Sequence, residues 1–241
     1  MIVIAHRGSS QLAPENTLPA IKQALRDRIE AIEIDVQMTK DGQVIVFHDE
    51  WLGRTTNGNG FVYDTLYAEI RRLDAGKWFH PRFTGTHVPL LEEVLKLLKD
   101  HPVTLNIELK NNLIDYPGLE KSVIDLVHRY KMENKVILSS FRVDSLQTCL
   151  SLAPHIRRGL LCWGTLDPFF SNHAWRELQL YSIHPHVALL GDNLRLLQQE
   201  GYYIFPYVIE RKSQLTLCQD FNVDGVFTNC PRRIKKLLRQ N

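Results

Sequence analysis

Residues 31–49 read AIEIDVQMTKDGQVIVFHD, two β-runs on either side of a tight turn. In the first run Ile32, Ile34 and Val36 share one face and Glu33, Asp35 and Gln37 the other, because successive strand side chains alternate. Lys40-Asp41-Gly42 has turn composition, and residues 43–47 are rich in Val and Ile. A short turn makes the two strands antiparallel. Counting back from it returns His48 to roughly the level of Asp35. The hairpin thus gathers Glu33, Asp35, His48 and Asp49 in one small volume, a set suited to a hard cation beside an acid/base group. Taken alone, the stretch reads equally well as a solvated hairpin face.

Two other stretches point the same way. VTLNIELK, residues 103–110, alternates apolar Val103, Leu105, Ile107 and Leu109 with polar Thr104, Asn106, Glu108 and Lys110. A parallel strand buried on both faces reads as continuously apolar. A polar inner face fits a barrel strand whose C-terminal end carries an active site. At the start of the chain, Ile2-Val-Ile-Ala runs into His6-Arg7-Gly8. There the glycine suits a strand-to-loop corner.

Further along, strand-like runs at 135–141, 158–162, 181–184, 203–209 and 224–229 alternate with helical patterns. These helical patterns fall at 90–98, 119–130, 145–152, 175–180, 193–199 and 212–221. A first helix carries Leu18, Ile21 and Leu25 on one stripe behind Asn16 or Thr17 as cap. Strands alternating with helices predict a parallel sheet, and eight such strands predict a closed (β/α)8 TIM barrel. Residues 51–88 break the alternation. They are read as an insertion over the barrel mouth, after the hairpin, with a short helix starting near Asp64. Its aromatics, Phe61, Tyr63, Tyr67, Trp78, Phe79 and Phe83, are expected to pack the insertion's own core, with a substrate wall as the alternative. With no repeat, linker or low-complexity segment, residues 1–241 read as one domain.

Composition bounds the function. The 241 residues suit one such barrel. Apolar residues make up 44% and charged residues 23%, as in an ordinary globular chain. The net charge is +2 and no basic run sits in a nucleic-acid motif, so no nucleic-acid partner is expected. The basic run at 232–239 reads as a solvated helix face, with contact to anionic lipid as the alternative. Cys149, Cys162, Cys218 and Cys230 have no zinc or CxxC spacing and are expected to be free, buried thiols. The apolar run before His6 is too short for a signal-peptide core. No window approaches the roughly 18 apolar residues of a membrane span. A cytoplasmic protein without stable membrane insertion is expected, and a homo-oligomer is compatible with the sequence.

Glu33, Asp35 and Glu108 would stand at the C-terminal ends of neighbouring strands. Three unpaired carboxylates raise one another's pKa, and a divalent cation removes the conflict. All-oxygen ligation indicates Mg²⁺ or Ca²⁺ in preference to zinc. His6-Arg7-Gly8, Pro14-Glu15-Asn16-Thr17, Glu33-Ile34-Asp35, His48-Asp49 and Glu108-Leu109-Lys110 occur in that order and spacing. Together they resemble the glycerophosphodiester phosphodiesterase family. Residues 54–60, RTTNGNG, and 90–94, LLEEV, add to the pattern.

That resemblance implies hydrolysis of glycerophosphodiesters to glycerol 3-phosphate and an alcohol. It makes His6 and His48 the acid/base pair, while Arg7 and Lys110 face the diester anion. Glu15 and Asn16 are expected to brace the first loop and cap the helix. The other eight histidines are expected to be surface or packing residues, with His184, near a strand end, reaching the glycerol as the alternative. The C-terminal half departs from the family. Tyr207-Val208-Ile209-Glu210 stands where Trp-Thr-Val-Asn is usual, and Thr228-Asn229 where Thr-Asp is usual. Tyr207 can replace Trp as an apolar wall, whereas Glu210 bears on substrate preference. The competing functions are a lysophospholipase D-type phosphodiesterase, which needs an apolar channel for an acyl chain, and a non-catalytic phosphodiester-binding barrel.

Overall fold

The computed structural model describes residues 1–164 and 173–240. Eight strands run parallel: β1 (Ile2–Ala5), β2 (Ala31–Met38), β4 (Thr104–Leu109), β5 (Val136–Ser140), β6 (Arg157–Cys162), β7 (Ser182–Pro185), β8 (Tyr203–Ile204) and β9 (Gly225–Thr228). β3 (Val44–Val46) pairs antiparallel with β2, completing the hairpin. The order around the sheet is β8-β7-β6-β5-β4-β2-β1-β9. Three hydrogen bonds close the seam: Asp224 N–H to Ile204 O at 3.1 Å, Phe227 N–H to Pro206 O at 3.0 Å and Ile209 N–H to Phe227 O at 2.8 Å. The result is a nearly closed TIM barrel, as the alternation of elements predicts.

Around it lie α1 (Leu18–Arg26), α2 (Tyr67–Ile70), α3 (Leu91–Leu98), α4 (Leu119–Arg129), α5 (Val143–Leu152), α6 (Asp192–Gln199), α7 (Lys212–Asp220) and α8 (Pro231–Leu238). α3 shows why these segments are helical. Leu91, Val94, Leu95 and Leu98 repeat at helical spacing, all are fully buried, and each is worth about 1.5–3 kcal/mol of burial. The Glu93 carboxylate accepts from the Leu90 backbone N–H at 2.9 Å and satisfies one open donor of the first turn. Outward strand residues such as Ile32, Ile34, Val36, Leu105 and Ile107 pack with these helices in the main core. Inside the barrel, Ile4, Ala31, Ile137, Phe205 and Phe227 form a separate apolar plug. Polar side chains begin above it.

Several expectations need correction. The strand expected over 203–209 is regular only at Tyr203–Ile204, because Pro206 has no N–H to give the ladder. Phe205 and Tyr207 still donate backwards to Ile183 and Pro185. The helix expected at 175–180 is a 3₁₀ turn at His173–Leu178. Thr17 is the N-cap of α1, yet no side chain caps it; Asn16 turns to Asp35 instead. The core of residues 51–88 is aliphatic, built from Leu52, Val62, Ile70, Ala75 and Val88 against Ile45 and Phe47. Of the six aromatics expected to build it, only Tyr67 packs on it, while Phe61, Tyr63 and Trp78 are exposed. A short α-helix forms there, starting at Tyr67 just after a 3₁₀ turn that includes Asp64.

Candidate active site

The register of three strands assembles the site. Asp35 pairs with Glu108 and Glu33 with Asn106 across β2 and β4. Ala5 pairs with Ile32 across β1 and β2, so His6 leaves β1 beside Glu33. Phe47 donates its N–H to Asp35 O at 3.0 Å, which sets His48 one residue past the level of Asp35. The face that could have been solvated is buried: Glu33 is 2% exposed, and Asp35 and Gln37 are 0%. Gln37 fixes the hairpin from within. It donates to the Phe47 and Asp49 carbonyls and accepts from Tyr116 OH at 2.8 Å.

Glu33, Asp35 and Glu108 bring one oxygen each to within 4.8 Å of one another. Their electrostatics show the conflict. Burial, then the charges of Asp35 and Glu108, push Glu33 well above the usual carboxylate range. Burial also raises Glu108, partly offset by Lys110. Burial acts upward on Asp35 too, but the positive fields of His48, Arg7, Lys110 and His6 outweigh it and hold that carboxyl low. Glu33 Oε1 and Asp35 Oδ1 are buried with no hydrogen-bond partner. Orphaned carboxylate oxygens converging in an all-oxygen set fit a hard divalent cation.

Two cations flank the cluster. The Lys110 ammonium donates to Glu108 Oε1 at 2.9 Å, touches His48 Nε2 at 3.2 Å and lies 3.9 Å from Asp35 Oδ1. Arg7 adopts a left-handed backbone, φ 58°. This lets its N–H reach Glu33 Oε2 at 2.7 Å while its side chain pairs with Glu15 at 2.8 Å and Asp35 at 3.3 Å.

The two imidazoles are similarly braced. His6 Nδ1 is 2.7 Å from Asn229 Oδ1, and its Nε2 is 4.0 Å from Glu33 Oε2. Burial, aided by Arg7, lowers its pKa to about 4. His48 Nδ1 is 2.5 Å from Asp49 Oδ1. Asp49 is in turn clamped by Arg54, which also forks onto Glu15 at 2.6 and 3.0 Å. A pocket of about 250 Å³ opens over these groups. Its polar side is His6, Arg7, Glu33, His48, Asn106, Glu108 and Lys110, and its apolar side is Phe141, Leu161, Trp163, Tyr207, Val208 and Phe227.

All seven residues singled out from the sequence therefore meet, six of them lining the pocket and Asp35 beneath it. Tyr207 does form apolar wall. His184 does not reach the site. It is fully buried, hydrogen-bonded to Ser182 at 2.8 Å and enclosed by Phe205 and Phe227. Sequence reading missed the Arg54 clamp and the Asn229 contact to His6. Arg54 stands in the quoted RTTNGNG stretch, but nothing local says which carboxylates it will meet. Glu15 braces the loop as expected. Asn16 does not cap: it donates to Asp35 Oδ2 at 2.7 Å and accepts the Asp35 N–H at 3.2 Å.

Fold and site define a class, a parallel barrel that aims carboxylates, imidazoles and fixed cations at one small anion-sized pocket. Comparison with known proteins specifies the class. Residues 6–233 match the Glycerophosphoryl diester phosphodiesterase family, and the chain belongs to that family. A glycerophosphodiester phosphodiesterase of Caldanaerobacter subterraneus subsp. tengcongensis is 39% identical over 242 residues, covering 99% of this chain and 98% of the relative. A Bacillus subtilis glycerophosphodiester phosphodiesterase is 35% identical, covering 98% and 86%. Among solved structures, an Oleispira antarctica phosphodiesterase in complex with the product sn-glycerol-3-phosphate superposes with TM-score 0.88 at 30% identity, covering 99% and 97%. By its family the chain is an enzyme, a phosphoric diester hydrolase.

Proposed function

We propose that the chain hydrolyses glycerophosphodiesters to sn-glycerol 3-phosphate and an alcohol, using Mg²⁺ or Ca²⁺ held by Glu33, Asp35 and Glu108. The observation that carries this reading is the meeting of that carboxylate cluster with two braced imidazoles and two cations around one pocket. A bound cation would relieve the carboxylates' repulsion, bind diester oxygens and stabilise charge developing at phosphorus. Arg7 and Lys110 orient the diester anion beside it.

His6 and His48 divide the proton transfers. His6, neutral near pH 7 and backed by a neutral amide, takes the proton of the attacking hydroxyl, either water, which gives glycerol 3-phosphate directly, or the substrate's own 2-hydroxyl, which gives a cyclic phosphate that water then opens. His48, oriented through Nδ1 by the Asp49 carboxylate, is the acid, and the proton for the leaving alkoxide passes from its pocket-side Nε2. The pocket's size favours a small glycerol diester over a lysophospholipid, whose acyl chain needs a longer apolar channel. The reading takes residues 1–241 as one phosphodiesterase domain with 51–88 inserted over the mouth. It acts in the cytoplasm, where the four buried free cysteines stay reduced. Among the described residues no helix is long and apolar enough to cross a membrane.

The test is turnover of glycerophosphocholine and glycerophosphoethanolamine, with released glycerol 3-phosphate read by a coupled dehydrogenase. Activity should require Mg²⁺ or Ca²⁺, vanish on chelation and return on readdition. Folded, metal-supplied protein that releases nothing from either diester defeats the substrate assignment. Full turnover after exhaustive chelation defeats the metal.

A further inference from the structure

We propose that Glu210 and Asn229 form a positioning relay for His6, locking its imidazole as the tautomer protonated on Nδ1 and leaving the Nε2 lone pair free toward the pocket. This rests on the reading of His6 as the base. The relay is built on chemistry that allows one direction only. The Glu210 carboxylate can only accept, so the atom of Asn229 lying 2.6 Å from its Oε1 is the NH₂ group, as a donor. That fixes the sense of the amide and turns Oδ1 the other way, 2.7 Å from His6 Nδ1. An amide oxygen only accepts, so Nδ1 must carry the proton.

The Ser10 hydroxyl, 2.8 Å from His6 O and 3.0 Å from Asn229 Oδ1, donates to one or the other without altering that sense. Glu210 is itself anchored. Its N–H donates to Gln214 Oε1 at 3.0 Å, and the Arg233 guanidinium binds its carbonyl. With Nδ1 committed, Nε2 is the imidazole nitrogen directed at the carboxylate cluster, 4.0 Å from Glu33. Three distant parts of the chain thus set one ring: the loop after β1, the residue after β9 and the loop before α7.

Imidazole ¹⁵N spectra of histidine-labelled full-length protein near neutral pH, with and without Mg²⁺, read the tautomer directly. The His6 signals are assigned by their loss in His6→Gln. Wild type should show Nδ1–H, and Asn229→Asp, which keeps an acceptor, should show the same. Glu210→Lys should reverse the amide, because an ammonium must take Oδ1, and so switch His6 to Nε2–H. Its kcat should fall about tenfold or more with KM within about twofold. Asn229→Ala, which imposes no partner, should give a tautomer mixture. Nε2–H in the wild type, or an unchanged tautomer in Glu210→Lys or Asn229→Ala, overturns the relay. A tautomer switch with undiminished kcat upholds the relay and overturns His6 as the base.

Discussion

At the scale of single residues, each imidazole of the site meets a different kind of acceptor, an amide behind His6 and a carboxylate behind His48. His6→Ala and His48→Ala should each lower kcat/KM by on the order of 10²-fold or more, and the double variant should lose much less than the product. A diester with a p-nitrophenolate leaving group needs no acid, so it should restore rate to His48→Ala and not to His6→Ala. Rescue of His6→Ala alone would reverse the two roles. At the carboxylates, Glu108→Gln should weaken Mg²⁺ binding by titration calorimetry while the far-UV spectrum stays unchanged. Undiminished affinity would remove Glu108 from the metal set.

At the scale of elements, the corner after β1 is the most constrained point. Gly8 has φ 78°, and a Cβ there would lie 2.7 Å from the Ala20 backbone carbon of α1. Both the left-handed backbone, about 1–2 kcal/mol for an L-residue, and the steric overlap argue against any side chain. Gly8→Ala should therefore lower stability by several kcal/mol in urea unfolding, and a loss under about 1 kcal/mol would show that α1 can slide away. The hairpin arm behaves differently. Arg54 is half exposed, so its ion pairs with Asp49 and Glu15 contribute little stability. Arg54→Ala should leave Tm within a few degrees yet reduce kcat, because the Asp49 carboxylate that aims His48 is then free to turn. Equal losses in Tm and kcat would mark the clamp as merely structural.

At the scale of the whole molecule, the barrel interior carries a buried imidazole away from the pocket. His184 packs on Phe205 and Phe227 of the apolar plug, with its ring against Gly159, where an added Cβ would lie 2.6 Å away. Burial pushes its pKa down to about 3, and its Nδ1 has no partner. A folded-state pKa below the unfolded value means that the unfolded chain binds the proton first. Its stability contribution is complete above about pH 6.5 and is lost as pH falls toward about 3. Across that window wild type should lose about 1.4 kcal/mol per pH unit from this residue. His184→Leu should show a correspondingly shallower decline in urea unfolding between neutral and mildly acidic pH. Parallel declines would mean that His184 is protonated within the fold.

The sequence by itself determined the barrel, because alternation of period 2 and period 3.6 is a property of neighbouring residues. It also determined the inward-facing carboxylates, since Glu33, Asp35 and Glu108 occupy alternating strand positions, and it placed His6 and His48 at strand ends. Only the tertiary structure decided who braces whom. Arg54 meets Glu15 across 39 residues and His6 meets Asn229 across 223, contacts that no local pattern encodes. Tertiary packing also decided the fate of look-alike residues. His184 lies near the end of β7 and His6 just past the end of β1, yet aromatic rings close over one imidazole and a pocket opens over the other. The apolar pocket wall likewise came from the ends of distant strands instead of the aromatic-rich insertion. A pocket is made by whatever the closed sheet brings to its mouth, and closure is a property of the whole ring of strands.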